Sequence, residues 1–230
     1  MRTIGLIGGM SWESSAEYYR LINESARRRL GGFHSAQSLM FSVDFDEIEE
    51  LQRTGRWDEA GDHLADAARR LERGGAGLVV LCTNTMHRLA EEVARAIAIP
   101  LLHIADATGE ELRARDMATV GLLGTRYTME QDFYRGRLED RYGLEVLVPD
   151  HEGRALVHDV IYGELVLGRV EDSSRIAYRE VMRELAGRGA EAIILGCTEI
   201  GLLVGDADAP VPVFDTTRIH AEKAVEWALA

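Results

Sequence analysis

The chain has 230 residues, 46% of them hydrophobic, enough to bury a core in one large domain or two smaller ones. Its 39 acidic against 26 basic residues give a net charge of −13, which excludes a non-specific nucleic-acid or anionic-membrane surface; an anionic ligand would have to be captured by local dipoles. Lys223 is the only lysine, and it lies in an amphipathic C-terminal pattern, Arg218 to Leu229, which argues against a pyridoxal phosphate Schiff base and against a P-loop.

Met1-Arg2 leads directly into a strand pattern, with no long apolar region or small-residue cleavage site, and no stretch approaches membrane-spanning length; a cytoplasmic protein is expected. Residues 3–7 read as the first strand, and Gly8-Gly9-Met10-Ser11-Trp12-Glu13-Ser14 as the turn into a helix reaching about Leu30. Glycines at a strand-to-helix turn let backbone N–H groups approach an anion at the helix N-terminus, so Gly9, Met10 and Ser11 are candidate substrate contacts; the same glycines also serve a tight turn alone. Gln37 to Phe45 read as a second strand, followed by the acidic stretch Asp46 to Arg53 and a helix from about Trp57 to Arg73. The apolar run Leu78 to Leu81 is a third strand ending in Cys82. Thr83-Asn84-Thr85 then offer N-cap chemistry to a helix over Met86 to Ile97, stopped by Pro100, and Leu101 to Ile104 is a fourth strand.

The alternation then repeats. A helix over Glu110 to Arg115 precedes a strand over Thr119 to Leu123, and Gly124-Thr125-Arg126-Tyr127-Thr128 forms a matching turn, with Thr125 and Tyr127 as candidate ligand contacts. Met129 to Tyr142 reads as helix, Leu144 to Val148 as strand, and Ala155 to Leu167 and Ser173 to Gly187 as two helices. Ile193-Ile194-Leu195-Gly196-Cys197-Thr198-Glu199 is a buried strand that ends in polar, reactive residues. Val211 to Phe214 is a last strand, and a helix from Thr217 follows. Strands alternating with helices specify parallel sheets covered on both faces.

Two internal echoes organise these elements. Gly75 to Thr85 parallels Gly189 to Glu199 at an offset of 114, and Thr3 to Gly8 parallels Thr119 to Gly124 at an offset of 116. In that alignment Cys197 meets Thr83, not Cys82. The expected fold is therefore α/β, with two pseudo-symmetric three-layer lobes, each a mostly parallel sheet flanked by helices. Lobe 1 spans residues 1–104 plus 210–230 and lobe 2 spans 105–209, with an active site in the cleft between them.

One residue per lobe aimed at one carbon is the geometry for removing a proton on one face and returning it on the other. A thiol suits this role if a helix N-terminus lowers its pKa from about 8.5, and Cys197 is the leading candidate. Thr83, or Cys82 beside it, would stand opposite. Since successive strand residues point to opposite faces, Cys82 should turn away if Thr83 faces the site. Glu199 could orient the Cys197 thiol or receive its proton, or serve only as an acid at a helix start; Asn84, Thr85 and Thr198 flank the two strand ends. The bland readings are a buried packing role for each cysteine, a partly exposed helical position for His87, and packing for Trp12, Trp57 and Trp227. No His, Cys, Asp and Glu spacing matches a metal site.

Leu-Cys-Thr-Asn-Thr-Met-His at 81–87 and Ile-Ile-Leu-Gly-Cys-Thr-Glu-Ile at 193–200 resemble the two signatures of the aspartate/glutamate racemase superfamily, and the resemblance spans the whole chain. The opening Ile4 to Ser14 and Leu123 to Met129 resemble its L-aspartate/glutamate-specific, broad amino-acid branch. The resemblance implies racemisation without a cofactor by two opposed bases, an amino-acid substrate, a two-lobed fold and a homodimer. Two departures stand out. Many members carry Cys where this chain has Thr83, which implies an L-preferring, slow enzyme with Cys197 as the base for L-substrates. Some aspartate racemases carry Lys where Val166 stands, and Arg53, with Gln52, is the substitute cation site. The competing readings are a one-thiol decarboxylase or isomerase, a hydantoin racemase, or a non-catalytic sensor for an amino acid or dicarboxylate.

Overall fold

The computed structural model describes residues 1–230, which divide into two units: Met1–Ile104 with His220–Ala230, and Ala105–Ile219. The first unit contains β1 (Ile4–Gly8), α1 (Trp12–Leu30), β2 (Ser38–Ser42), α2 (Phe45–Arg53), α3 (Trp57–Arg73), β3 (Leu78–Leu81), a 3-10 turn (Thr85–Leu89), α4 (Ala90–Arg95) and β4 (Leu101–Leu102). α5 (Ile104–Ala114) starts at the division. The second unit continues with β5 (Thr119–Gly124), α6 (Arg126–Glu130), α7 (Arg135–Tyr142), β6 (Glu145–Leu147), α8 (His151–Gly163), α9 (Asp172–Gly187), β7 (Ala192–Gly196), α10 (Ile200–Leu203) and β8 (Val213–Asp215). α11 (Thr216–Leu229) begins in the second unit and ends in the first.

Each unit holds one four-stranded, all-parallel sheet, in the order β2-β1-β3-β4 or β6-β5-β7-β8. The two orders are the same topology. The registers agree as well: Ile7 lies beside Leu81 in one sheet and Leu123 beside Leu195 in the other, the pairing that the internal echoes require. In each sheet the strand order reverses at the β1/β3 or β5/β7 pair, and the loops leaving those carboxyl ends are where open α/β sheets take ligands.

The central strands β1, β3 and β7 are buried throughout, as uninterrupted apolar runs should be when helices cover both faces. In the first unit, Ile7, Val79 and Leu81 pack with Ile48, Leu51, Leu64, Ala68 and Met86. On the other face Ile4, Leu6, Leu78, Val80 and Cys82 pack with Tyr18, Leu21, Ala221 and Val225. Cys82 therefore belongs to a core layer, with no exposed surface.

Several boundaries differ from the sequence reading, each for a local reason. The acidic stretch after Asp46 is helix α2, because Asp44 caps it by accepting from the Asp46 N–H at 3.1 Å and Ile48 and Leu51 bury one stripe. The helix expected over Met86 to Ile97 is a 3-10 turn followed by the short α4. The His87 N–H bonds Asn84 O at 3.1 Å, while the Thr83 carbonyl, its α-helical acceptor, is engaged by the His87 imidazole. Ile104 opens helix α5 and does not end a strand. The helix expected over Met129 to Tyr142 is interrupted between α6 and α7. β8 pairs with β7, so residues 210–219 belong to the second unit and not to lobe 1. Trp12 is 68% exposed, not a packing residue.

Candidate active site

At the end of β1, Gly9 adopts φ +93°, and a Cβ there would lie 2.1 Å from Val43 O; only glycine fits this turn. Its N–H donates to Ser15 Oγ at 2.7 Å, and Ser15 Oγ–H donates to Ser11 O at 2.9 Å. The Gly9 amide is thus engaged within the turn. Ser11 caps α1, accepting from the Ser14 N–H at 3.3 Å, and Met10 is buried in the α2–α3 core layer. Gln52 is buried with its Nε2 donating to Met86 Sδ at 3.0 Å. Arg53 points outward: its guanidinium is mostly exposed and lies 3.6 Å from the Glu49 carboxylate.

The loop after β3 carries Thr83, Asn84 and Thr85, all nearly buried. Asn84 occupies the N-cap position without a side-chain capping bond, contrary to the cap chemistry read from the sequence. The loop is instead held by His87, which is buried and not, as expected, partly exposed. Its Nε2 accepts the Ile104 N–H at 3.1 Å, so the proton sits on Nδ1, 2.7 Å from Thr83 O. Nearby, Tyr18 O–H donates to His220 Nδ1 at 2.8 Å and His220 Nε2–H donates to Leu102 O at 3.0 Å. Burial lowers the His220 pKa to about 3. His103 completes the group, 4.7 Å from the His87 ring. The three imidazoles do not form a metal-ligand group. The sequence reading missed this cluster; the signal available was the four-residue spacing of Thr83 and His87.

In the second unit Thr125 caps α6, accepting from the Thr128 N–H at 3.3 Å, and Tyr127 sits edge-on to His158, 6.4 Å between ring centroids. At the end of β7, Cys197 Sγ–H donates to Glu199 Oε2 at 3.0 Å, and Thr198 Oγ–H donates to the same oxygen at 2.6 Å. Cys197 is 9% and Glu199 4% exposed. Burial, then the Glu199 charge and hydrogen bond, hold the Cys197 thiol well above its ordinary pKa, outweighing the backbone N–H groups of Glu199 and Thr198 that favour the thiolate. The expected lowering by a helix N-terminus is therefore reversed: the resting residue is a thiol. Burial alone raises Cys82.

Cys197 and Thr83 each lie two residues beyond the matched strand pairs, Leu123–Leu195 and Ile7–Leu81, so they occupy equivalent positions in their units. A groove of about 510 Å³ elsewhere in the first unit, lined by Phe41, Asp44, Glu47, Asp62, His63 and Asp66, includes none of these residues. The arrangement at the strand ends supplies a thiol with a carboxylate to take its proton, and a separate hydroxyl.

Parallel sheets with a thiol, a carboxylate and a hydroxyl beyond the carboxyl ends of their central strands have the architecture in which open α/β folds take small molecules. The chain belongs to the Asp/Glu/hydantoin racemase family, whose model matches residues 7–224, and its reaction class is that of a racemase, an isomerase. It is 28% identical over 173 residues to the broad specificity amino-acid racemase RacX of Bacillus subtilis, covering 75% of this chain and 74% of that one. A solved candidate Asp/Glu racemase from Yersinia pestis is 53% identical with a TM-score of 0.94. An aspartate racemase homologue from Pyrococcus horikoshii is 36% identical with a TM-score of 0.87. Both structures are covered over 100% of each chain.

Proposed function

We propose that this racemase acts on amino acids, with L-aspartate and L-glutamate preferred, and that Cys197 and Thr83 serve opposite faces of the α-carbon. The observation that carries the reading is the buried Cys197–Glu199 pair at the end of β7, in a position equivalent to that of Thr83 after β3. The named relatives, a broad-specificity amino-acid racemase and an aspartate racemase homologue, support the substrate class.

In the proposed cycle the Cys197 thiol passes its proton to Glu199, and the thiolate takes the α-hydrogen of the L-substrate. The carbanion then receives the Thr83 hydroxyl proton on its other face. Glu199 releases its proton to water and Thr83 regains one from water, so the protons balance. A Thr hydroxyl is a far weaker base than a thiolate, so the reverse direction, abstraction from a D-substrate by Thr83, is slow. Cys82, buried in its core layer, takes no part. Gly9, Met10, Ser11, Gln52, Asn84, Thr85, Thr125, Tyr127 and Thr198 are the proposed substrate contacts from their places in the chain, and Arg53, released from Glu49, would supply a cation for the side-chain carboxylate.

The protein is proposed to work in the cytoplasm as a homodimer. No helix is long and apolar enough to cross a membrane, and the edge strand β2 with Met40, together with Trp12, Tyr19 and Phe33, leaves apolar surface in the first unit uncovered.

The test is α-hydrogen exchange in heavy water, followed by proton NMR with the L- and D-forms of aspartate and glutamate. Rapid exchange of the L-forms with slow appearance of D-product is expected. Equal exchange of both enantiomers would make the two faces equivalent and remove the assignment to Thr83.

A further inference from the structure

Delivering a proton from a hydroxyl to carbon is sensitive to placement, because the reacting atoms must meet at about 3–3.5 Å in line, and a misplacement of about 1 Å can cost on the order of 10²-fold. Thr83 sits on a loop, and no regular element fixes its backbone: β3 ends at Leu81 and the 3-10 turn starts at Thr85. The position of that loop depends on side chains.

We propose that His87 is the positioning residue for Thr83, clamping the Thr83 carbonyl through Nδ1–H and anchoring the clamp through Nε2 to the Ile104 amide. Both ring nitrogens are committed in complementary roles. A backbone N–H at Nε2 requires a lone pair there, which leaves the proton on Nδ1 facing Thr83 O at 2.7 Å. Because that carbonyl is withdrawn from the helical ladder, residues 85–89 wind as a 3-10 turn, and the Thr83 backbone is set by an imidazole and not by helix geometry.

The anchor is itself packed and hydrogen-bonded. His103 lies against one side of the His87 ring at 4.7 Å and His220 against another at 5.5 Å, while His220 is fixed between Tyr18 O–H and Leu102 O. Two imidazoles therefore tie the 102–104 segment to their neighbours, one to the Thr83 loop and the other to α1. His87 touches no reacting atom; it acts through Thr83. The inference rests on the racemase reading given above, in which Thr83 serves the second face.

The experiment uses the full chain with His87→Gln, His87→Asn and His87→Ala, given L-substrate in heavy water. The quantity read is the ratio of D-product formation, which needs Thr83, to L-substrate exchange, which needs Cys197. The Gln amide, one bond further out, reaches the Nε2 position and can accept from the Ile104 amide but leaves the Nδ1 position without a donor, whereas Asn places its NH2 at the Nδ1 position facing Thr83 O. The ratio should fall tenfold or more in the Gln and Ala variants and recover in the Asn variant. An equal fall of both rates in all three variants, or an unchanged ratio in His87→Gln, overturns the proposal. Nitrogen-15 NMR of the wild-type imidazole gives a readout independent of turnover: the Nδ1–H tautomer is expected, and an Nε2–H or doubly protonated ring overturns the clamp. Wild-type protein that exchanges no amino acid would sink the racemase reading, while the tautomer measurement would still decide whether the clamp exists.

Discussion

Cys197 is raised by burial and by Glu199, which means that the reactive thiolate is scarce near neutrality and grows as pH rises. L-substrate exchange should therefore be level near neutrality, where the thiol ionises only by passing its proton to Glu199, and rise further in the alkaline range, where the thiol ionises to solvent, in a pH–rate profile. Glu199→Gln removes the repelling charge, so the rising limb should move to lower pH. The neutral rate should nonetheless drop by about 10²-fold, because the thiol loses its proton acceptor. A profile unmoved by that change would separate Glu199 from the thiol. Cys197→Ser should abolish exchange, by on the order of 10³-fold or more, whereas Cys82→Ala should leave the rate within a few-fold and cost roughly 1 kcal/mol of stability for its lost packing. Thr83→Cys should accelerate D-substrate exchange tenfold or more, since it places a thiol on the weak face. The core placement of Cys82 was legible in the sequence, because strand alternation turns it away from Thr83 and the 114-residue echo pairs Cys197 with Thr83 instead. The sign of the Cys197 shift was not legible: it depends on how closely a carboxylate two residues away folds back onto the sulfur.

At the scale of elements, the turn after β1 is the most constrained. A side chain at Gly9 would collide with the Val43 backbone at positive φ, so Gly9→Ala should destabilise the protein by more than about 2 kcal/mol in a urea titration. The eight strands were readable from apolar runs, whereas the caps were not: Ser11 and Thr125, read as turn residues, cap α1 and α6, and Asn84 makes no side-chain capping bond. The short elements were not readable either. Helix α2 has only two apolar anchors in an acidic run, and the break after Asn84 is made by a side chain, His87, that competes with the backbone for the Thr83 carbonyl. The histidine cluster also predicts a pH dependence of stability. His220 is neutral in the fold with a pKa near 3 and ordinary, about 6.5, when unfolded. Above pH about 6.5 it contributes no slope; below that the unfolded chain binds a proton that the folded one refuses, and stability falls by up to about 1.4 kcal/mol per pH unit. His220→Gln should lower stability at pH 7, through loss of the Tyr18 bond, yet flatten that acid slope.

For the whole molecule, the internal repeat was the most informative feature of the sequence, since two identical strand orders and matching registers follow from it. What it concealed was where the repeat ends: β8 completes the second sheet, and the return to the first unit waits until His220. The proposed homodimer should give twice the chain mass in light scattering, and Met40→Glu on the edge strand β2 should shift it towards the monomer; a wild-type chain of single mass would dismiss that assembly.

The late return has a consequence for biogenesis. Ala221, Ala224, Val225 and Ala228 close the core layer formed by Ile4, Leu6, Tyr18, Leu78 and Val80, and His220 completes the Tyr18 hydrogen bond. On the ribosome, residues 105–219 have all been made before that closing segment emerges. The strands synthesised first are therefore sealed last, and the nascent chain must carry an open apolar face through most of its translation. Nascent chains stalled before residue 220 should expose that face to chaperones, while residues 105–219 already hold every strand of their own sheet.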